Sequence, residues 1–413
     1  MKARIVALEI LNEGISNFFI PRNAWKKTSN LTKQDRAFVR RLVYGTLRYY
    51  FEIDKIIDTF LKDAKKTPKD LKNILRMGTY ELIEMKIPSY AVVNEYTSIA
   101  RPKFKGLVNA VLRKISEISD KTHFESGLPP WLYDKLKKDL GDIFPIFLEK
   151  NEFHEIYLRA VNKSRDEIIQ DLTKQNIESY PTHFSPWGIK CTEGIDLDGF
   201  EQFENGDFTF QDESSQLVGI VVDPKGEEKI LDAFGGVGTK TTHLVQINPQ
   251  AVVTYNDINR SKISIAMDNF KRMRIFPSKM INTDIINSTL DEKFDKILVD
   301  APCTALGTIG KHPDLLLRLT EKDITEKAQM QLKTLENLWE HLSDGGEIIY
   351  SVCTVTKEET DGVISKFIQN HDEAICVDPF EGKMNFDFEK LGVQLLKWID
   401  GFYISKIVKG DKR

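Results

Sequence analysis

Cysteine is scarce. The chain has four in 413 residues, none in a CxxC spacing, which excludes a disulfide framework and a local zinc knuckle. No stretch reaches the ~18 apolar residues that a membrane-spanning helix needs. Glu9 interrupts the N-terminus too early for the apolar region of a secretory leader. Glycine (24) and proline (15) are near ordinary usage, so collagen-like and low-complexity chains are excluded as well. The expectation is a soluble, cytoplasmic protein of a reducing compartment, monomeric, with no membrane partner and no metal site. At roughly 150 residues per domain, the length predicts two or three domains with separate cores.

Net charge is also small, at −4, but it is an average. Residues 1–130 carry 24 Lys+Arg against 14 Asp+Glu, a balance of +10, and the remainder carries −14. Such asymmetry points to a polyanion-binding portion at the front, with a solvated helical surface as the bland alternative.

The first 120 or so residues read as helix. Phe38, Val39, Leu42, Val43, Leu47 and Tyr50 recur three to four apart and mark one buried face. Thr32 stands where an N-cap would, three before Asp35. The polar face carries Arg36, Arg40, Arg41 and Arg48, which could contact phosphates. Further stripes run Leu71, Ile74, Leu75, Leu82, Ile83 and Leu107, Val108, Val111, Leu112, Ile115, Ile118. An all-α bundle is predicted over 1–125. Gly127-Leu128-Pro129-Pro130 marks its end. Residues 126–205 mix a helix at Trp131–Leu140 with short strands near Tyr157–Val161 and read as a small α/β connector.

Over 206–413 the pattern alternates. Lys229–Ala233, Val252–Asn256, Lys296–Val299 and Glu347–Tyr350 read as buried parallel strands, with helices near Thr241–Gln246, Arg260–Arg274 and Asp323–Leu342 between them. This predicts a Rossmann-like α/β sheet covered on both faces. Phe402–Lys409 reads as a last, antiparallel edge strand.

The first of these strands runs into Phe234-Gly235-Gly236-Val237-Gly238-Thr239-Lys240 and then a helix. Glycines let a backbone approach a ligand, and a helix N-terminus offers free N–H groups. A phosphate-binding P-loop fails on glycine spacing, and the dinucleotide fingerprint would have Thr241 as its third glycine. S-adenosylmethionine (SAM) fits better. Asp232, Asp257, Asp284 and Asp300 close successive strands, the edge at which open α/β sheets bind ligands. Asp257 is placed for ribose hydroxyls and Asp284 for an adenine edge.

Cys303, in Asp300-Ala301-Pro302-Cys303, and Cys353, in Tyr350-Ser351-Val352-Cys353-Thr354, both follow strands, so they lie at that same edge although 50 residues apart. Cys191 and Cys376 read as small buried hydrophobes. Two thiols beside SAM suit cytosine C5, a poor nucleophile until a thiolate adds to C6. Asp300 at the N3 edge would stabilise that adduct.

These motifs resemble the RNA cytosine-C5 methyltransferases, and specifically the RsmB (Sun/Fmu) family acting on 16S ribosomal RNA. The DAPC and YSxC pair carries the resemblance, with Lys311-His312-Pro313-Asp314, Glu358-Glu359, Gln211–Leu217 and Asp400–Phe402 adding order and spacing. Tyr44–Arg48, Leu75–Leu82 and Gly106–Arg113 look like signature stretches of the family's NusB-like helical domain. The resemblance implies a class I SAM-dependent methyltransferase domain and makes Cys353 the nucleophile. It makes Cys303 the thiol that assists release, and puts Asp300 in the active centre and beside the cofactor. Phe234, Gly235, Gly236, Val237, Gly238, Thr239 and Lys240 would hold the methionine part of SAM, with Asp257 on the ribose and Asp284 on the adenine. Two departures stand out. The first motif lacks the family's Ala-Ala-Pro geometry, and Val352 replaces the usual threonine before the nucleophile.

Other readings fit less well. An amino-group methyltransferase would want an aromatic where Cys303 stands, and a zinc deaminase would want cysteine at Leu306. A dehydrogenase leaves the thiol pair without a role. A non-catalytic RNA-binding protein with a relic SAM fold has no use for both cysteines. Another RNA, such as tRNA, remains an alternative substrate.

Overall fold

A computed structural model describes residues 1–152, 155–192, 200–388 and 390–410, the side chain of Arg22 excepted. Contacts divide the chain into two compact units: Met1–Lys138 with Ile309–Leu319, and Asp139–Thr308 with Thr320–Arg413.

The first unit is helical: α1 (Lys2–Asn17), α2 (Lys33–Arg48), α3 (Tyr50–Phe60), α4 (Lys69–Ile83), α5 (Ser89–Ile99) and α6 (Lys105–Ile118). Thr32 caps α2 by accepting the Asp35 N–H at 3.1 Å. Val39, Leu42, Val43 and Leu47 are buried, as their spacing predicts. The stripe does not stay on one helix through Tyr50, because the chain breaks at Tyr49 and Tyr50 opens α3. Two signature glycines are explained by close approach. A Cβ on Gly45 would sit 2.0 Å from the Tyr80 ring, and one on Gly78 would sit 2.8 Å from Leu112.

The arginine face of α2 differs from expectation. Arg36 donates to the Leu31 carbonyl at 3.1 Å, Arg40 lies 5.7 Å over the Trp25 ring, and Arg48 donates to the Gly310 carbonyl at 2.6 Å. Arg41 alone of the four is exposed. The other three are held by internal partners, which leaves less positive surface than the charge count suggests. Gly310 belongs to Ile309–Leu319, which the chain contributes to this unit from far along the sequence, and Leu317 packs on its core.

In the second unit, β1 (Ile156–Ala160), β2 (Ser179–Pro181) and β3 (Gly188–Cys191) of the expected connector form an antiparallel sheet with β4 (Phe208–Phe210), which lies beyond the expected end at 205, in the order β2-β3-β1-β4. It belongs by contacts to the same unit as the larger sheet. That sheet contains β5 (Lys229–Asp232), β6 (Val252–Asn256), β7 (Lys279–Ile281), β8 (Phe294–Asp300), β9 (Leu342–Val352), β10 (Ala374–Val377), β11 (Val393–Gln394) and β12 (Tyr403–Lys409). The order is β10-β12-β9-β8-β5-β6-β7, with β11 beside β12. The run β9-β8-β5-β6-β7 is parallel, and β12 is antiparallel to β9 as expected. β12 is not the edge, because β10 pairs along its far side.

Alternation along the strands makes two cores. Leu231, Ile297, Val299, Ile348 and Tyr350 pack with Leu335, Leu338, Trp339 and Phe367 from the helices Glu321–Trp339 and Asp361–Asn370. Ile230, Leu298, Ile349 and Ile404 pack with Leu217, Val221 and Leu244 from Glu213–Val222 and Thr239–Ile247. Helices therefore cover both faces, and the carboxyl ends of the parallel strands are the edge at which open sheets of this kind bind ligands. Among the described residues no helix is long and apolar enough to cross a membrane.

Candidate active site

The loop after β5 is shaped by glycine. A Cβ on Gly235 would meet the Tyr255 ring at 2.3 Å, and one on Gly238 would meet Phe270 at 2.4 Å. Gly236 and Gly238 hold positive φ of 57° and 81°, the left-handed region that side chains rarely adopt. The turn is then fixed by Gly235 N–H to Asn256 O at 2.7 Å, Gly238 N–H to Gly235 O at 2.8 Å and Tyr255 OH to Gly236 O at 2.6 Å. Phe234 to Gly238 thus form one turn, and Thr239 and Lys240 open the helix Thr239–Ile247 that follows it. From the connector sheet, buried Arg159 steadies that helix start by donating to Thr239 O at 2.8 Å and Thr242 Oγ1 at 2.9 Å. Burial, then the charge of Arg272, pushes the Arg159 guanidinium down to about 9.

The aspartates divide by environment. Asp257 is buried beside the turn, accepting the Gly236 N–H at 3.0 Å and the Asn259 N–H at 2.7 Å. Asp284 stands three residues beyond β7, and its oxygens close a turn by accepting Ile286 N–H and Asn287 Nδ2 at 3.1 and 2.7 Å. Asp232 is fully buried. Its Oδ2 accepts the Thr241 hydroxyl at 2.6 Å, while Oδ1 has no partner in normal hydrogen-bond geometry among the described residues. Burial pushes its carboxyl up to about 7, with Asp300 adding to the rise and Thr241 and Lys240 opposing it. This orphaned buried oxygen, the uncrowded approach to Gly236, where a Cβ would meet only Phe234 O at 3.8 Å, and the Asp257 carboxylate form an acceptor set that fits the ammonium and hydroxyl donors of an amino-acid nucleoside such as SAM.

Asp300, Cys303 and Cys353 come together where β8 and β9 end. The Asp300 carboxylate accepts Lys240 Nζ at 2.8 Å on one oxygen and Ser351 Oγ at 2.9 Å on the other. Lys240 also lies 5.8 Å over the Phe402 ring, which gives the Asp-Gly-Phe motif a place in the site. Burial works to lower the Lys240 pKa, but the charge and hydrogen bond of Asp300, then Cys353 and Asp232, outweigh it and the pKa is raised. The two sulfurs are 3.4 Å apart. Cys303 is held well above the ordinary thiol value by its hydrogen bond to Cys353 and by burial. Cys191 is buried, as expected, and pushed up to about 12, whereas Cys376 is only half-buried on β10.

Several polar residues around the site carried no separate reading in the sequence. Gln211, Glu213, Ser214 and Gln216 of the QDESSQL segment join the connector to the sheet. Gln216 Nε2 donates to Leu158 O at 3.1 Å, Glu213 accepts Ser185 N–H at 2.9 Å, and Ser214 Oγ donates to Asp400 at 3.0 Å. Motif order was the available signal for these residues. Asp232 had its strand-end position as a signal but no assigned role.

A doubly covered sheet with a glycine turn and acids at its strand ends is the architecture of a class I SAM-dependent methyltransferase, and SAM is the cofactor of the family that the chain matches. The family described as 16S rRNA methyltransferase RsmB/F matches residues 219–408, and the NusB family matches residues 1–117. A relative named ribosomal RNA small subunit methyltransferase B, from Yersinia enterocolitica serotype O:8, is 30% identical over 403 residues, covering 92% of each chain. The namesake from Yersinia pseudotuberculosis serotype O:1b is 29% identical over the same coverage. Among solved structures, PH0851 superposes with a TM-score of 0.79 at 24% identity, covering 97% of this chain and 98% of its own. NSun6 from Pyrococcus horikoshii, solved with SFG, has a TM-score of 0.60 at 20% identity and covers 69% of this chain and 99% of its own. The chain belongs to the RsmB/F family of 16S rRNA methyltransferases, with a NusB domain at its N-terminus.

Proposed function

We propose that this enzyme methylates C5 of a cytosine in 16S ribosomal RNA, in the cytoplasm, through a covalent adduct between Cys353 and C6. The observation that carries this is the pair of thiols 3.4 Å apart at adjacent strand ends, with Cys303 held as a thiol. One protonated and one attacking sulfur is the division of labour the reaction needs.

Cys353 Sγ adds to C6, and the electron pair of the C5–C6 double bond moves to C5. As charge spreads to N3 a proton from solvent neutralises it there, the Asp300 carboxylate, oriented by Lys240, would accept that N3–H, and the proton returns to solvent when C5 takes the methyl. SAM, when bound, supplies an electrophilic methyl on a sulfonium, which C5 acquires. Cys303 then hands its proton to the departing Cys353 sulfur and regains one from the proton lost at C5. Over the cycle one proton goes to solvent as Cys353 returns to thiolate. The segment from Phe234 to Lys240 would hold the methionine part of SAM, Asp257 the ribose and Asp284 the adenine edge. The target base must be unpaired or flipped, since C6 is approached face-on.

Bisulfite sequencing of 16S RNA from cells with and without the gene tests the substrate: one cytosine should lose methylation in the deletion, and an unchanged map refutes the reading. Cys303→Ala should accumulate an RNA–protein adduct visible on a denaturing gel, because addition proceeds and release fails. The absence of a shifted band under turnover conditions would remove that role from Cys303.

A further inference from the structure

Pairing of β8 with β9 ends at Asp300 and Ser351. Both cysteines lie beyond that point, so the sheet ladder alone does not set their spacing. Each is followed directly by a threonine, and the two threonine hydroxyls lie 2.8 Å apart. One fully buried carboxylate, Glu359, joins them. Its Oε1 accepts the Thr304 N–H at 2.9 Å and Gln331 Nε2 at 3.2 Å. Its Oε2 accepts the Thr304 hydroxyl at 2.5 Å and the Thr356 hydroxyl at 2.9 Å. Gln331 also reaches Pro302 O at 3.1 Å, and Tyr350 OH donates to the Glu359 carbonyl at 2.7 Å. The segments on either side of both thiols therefore converge on one side chain.

We propose that Glu359 is a positioning residue that locks the Cys303 and Cys353 loops in register, so that both sulfurs reach the C5–C6 edge of a single cytosine. This rests on the cytosine-C5 reading above. A carboxylate suits the task because it only accepts, and its two oxygens can satisfy about four donors at once. Its negative charge also adds, after the Cys353 hydrogen bond and burial, to the forces that keep Cys303 protonated.

The test uses the full chain in a Cys191→Ala, Cys376→Ala background, in which Cys303 and Cys353 are the remaining thiols. Diamide oxidises them to a disulfide: two thiols lose two electrons and two protons, and the diazene is reduced to a hydrazine. That rate reads thiol register without RNA. Glu359→Ala should form the disulfide roughly tenfold more slowly, since the bond demands a narrow geometry. Its kcat for methyl transfer should fall about 100-fold with the KM for SAM unchanged, as expected for a reacting group displaced by about 1 Å. Glu359→Gln, whose amide the hydroxyls can turn to meet, should recover most of both. Wild-type oxidation or wild-type kcat in Glu359→Ala overturns the proposal. If that variant does not fold, the Thr304→Val, Thr354→Val double variant decides by the same two readouts. If the parent protein methylates no C5, the cytosine reading fails, and the oxidation arm still judges the lock.

Discussion

Glu81 in the helical unit and Asp232 in the α/β unit are both wholly buried carboxylates, yet their surroundings differ. Arg4 meets Glu81 with two nitrogens, at 2.8 and 2.6 Å, and Tyr96 OH adds a third bond at 2.6 Å. Arg76 is treated likewise, with Asp54 at 2.7 Å on both oxygens and Tyr50 OH at 2.9 Å. Asp232 keeps one oxygen without a partner in normal hydrogen-bond geometry among the described residues, the Phe234 N–H acting on the carboxylate only more weakly, and Cys303 beyond β8 is held as a thiol. An unmet buried polar group costs about 1–3 kcal/mol. Proteins keep such groups where a ligand or a reaction supplies the missing partner. Glu81 is thus closed off by its partners within the helical scaffold, whereas Asp232 keeps an acceptor open beside the glycine turn.

The contrast breaks most visibly at the thiols. Cys353→Ala should reduce methyl incorporation by roughly 10⁶-fold, the scale seen when a lone nucleophile is deleted. Radiolabelled methyl transfer to RNA measures it, and residual turnover near wild type would dissolve the distinction. Glu81→Ala should act on stability instead, lowering the unfolding free energy of the helical unit by about 1–3 kcal/mol, because the buried Tyr96 hydroxyl loses its acceptor and Arg4 keeps only Glu95, 3.8 Å away, as an ionic partner. Thermal melting checks this, and SAM affinity of the folded protein should not change. Asp300→Asn removes the charge facing Lys240 and should lower kcat about 10²–10³-fold at saturating SAM and RNA. A loss confined to melting temperature would make Asp300 scaffold after all.

What was legible in the sequence follows the range of the forces involved. β6, β8 and the helix Thr239–Ile247 announce themselves through local apolar runs and a glycine turn, and the cysteines follow because strand ends share an edge. The return of Ile309–Leu319 to the helical unit depends on partners distant in sequence, which periodicity does not register. β10 was missed because a four-residue strand, Ala374–Val377, carries too little alternation. The arginines of α2 misled for the same reason. A count of positive charge does not reveal that Arg48 is bound to Gly310, 262 residues away. Glu359 was visible only as half of a Glu-Glu pair, since its donors come from three separate segments.

The finest test of open against closed carboxylates is the pH dependence of stability. Asp232 titrates near 7 in the folded protein because burial favours its neutral form, whereas an unfolded aspartate titrates near 4. Between those values the folded chain binds the proton and the unfolded chain does not. The contribution is therefore fully present below the unfolded value and is lost as pH rises through about 7. The α/β unit should lose melting temperature across that window, and Asp232→Asn, which cannot ionise, should remove this component of the slope. Glu81→Gln should leave the α/β transition's slope unchanged. A slope in the Asp232→Asn protein equal to wild type would mean that Thr241 and Lys240 already satisfy the carboxylate, and that Asp232 belongs with Glu81 as scaffold.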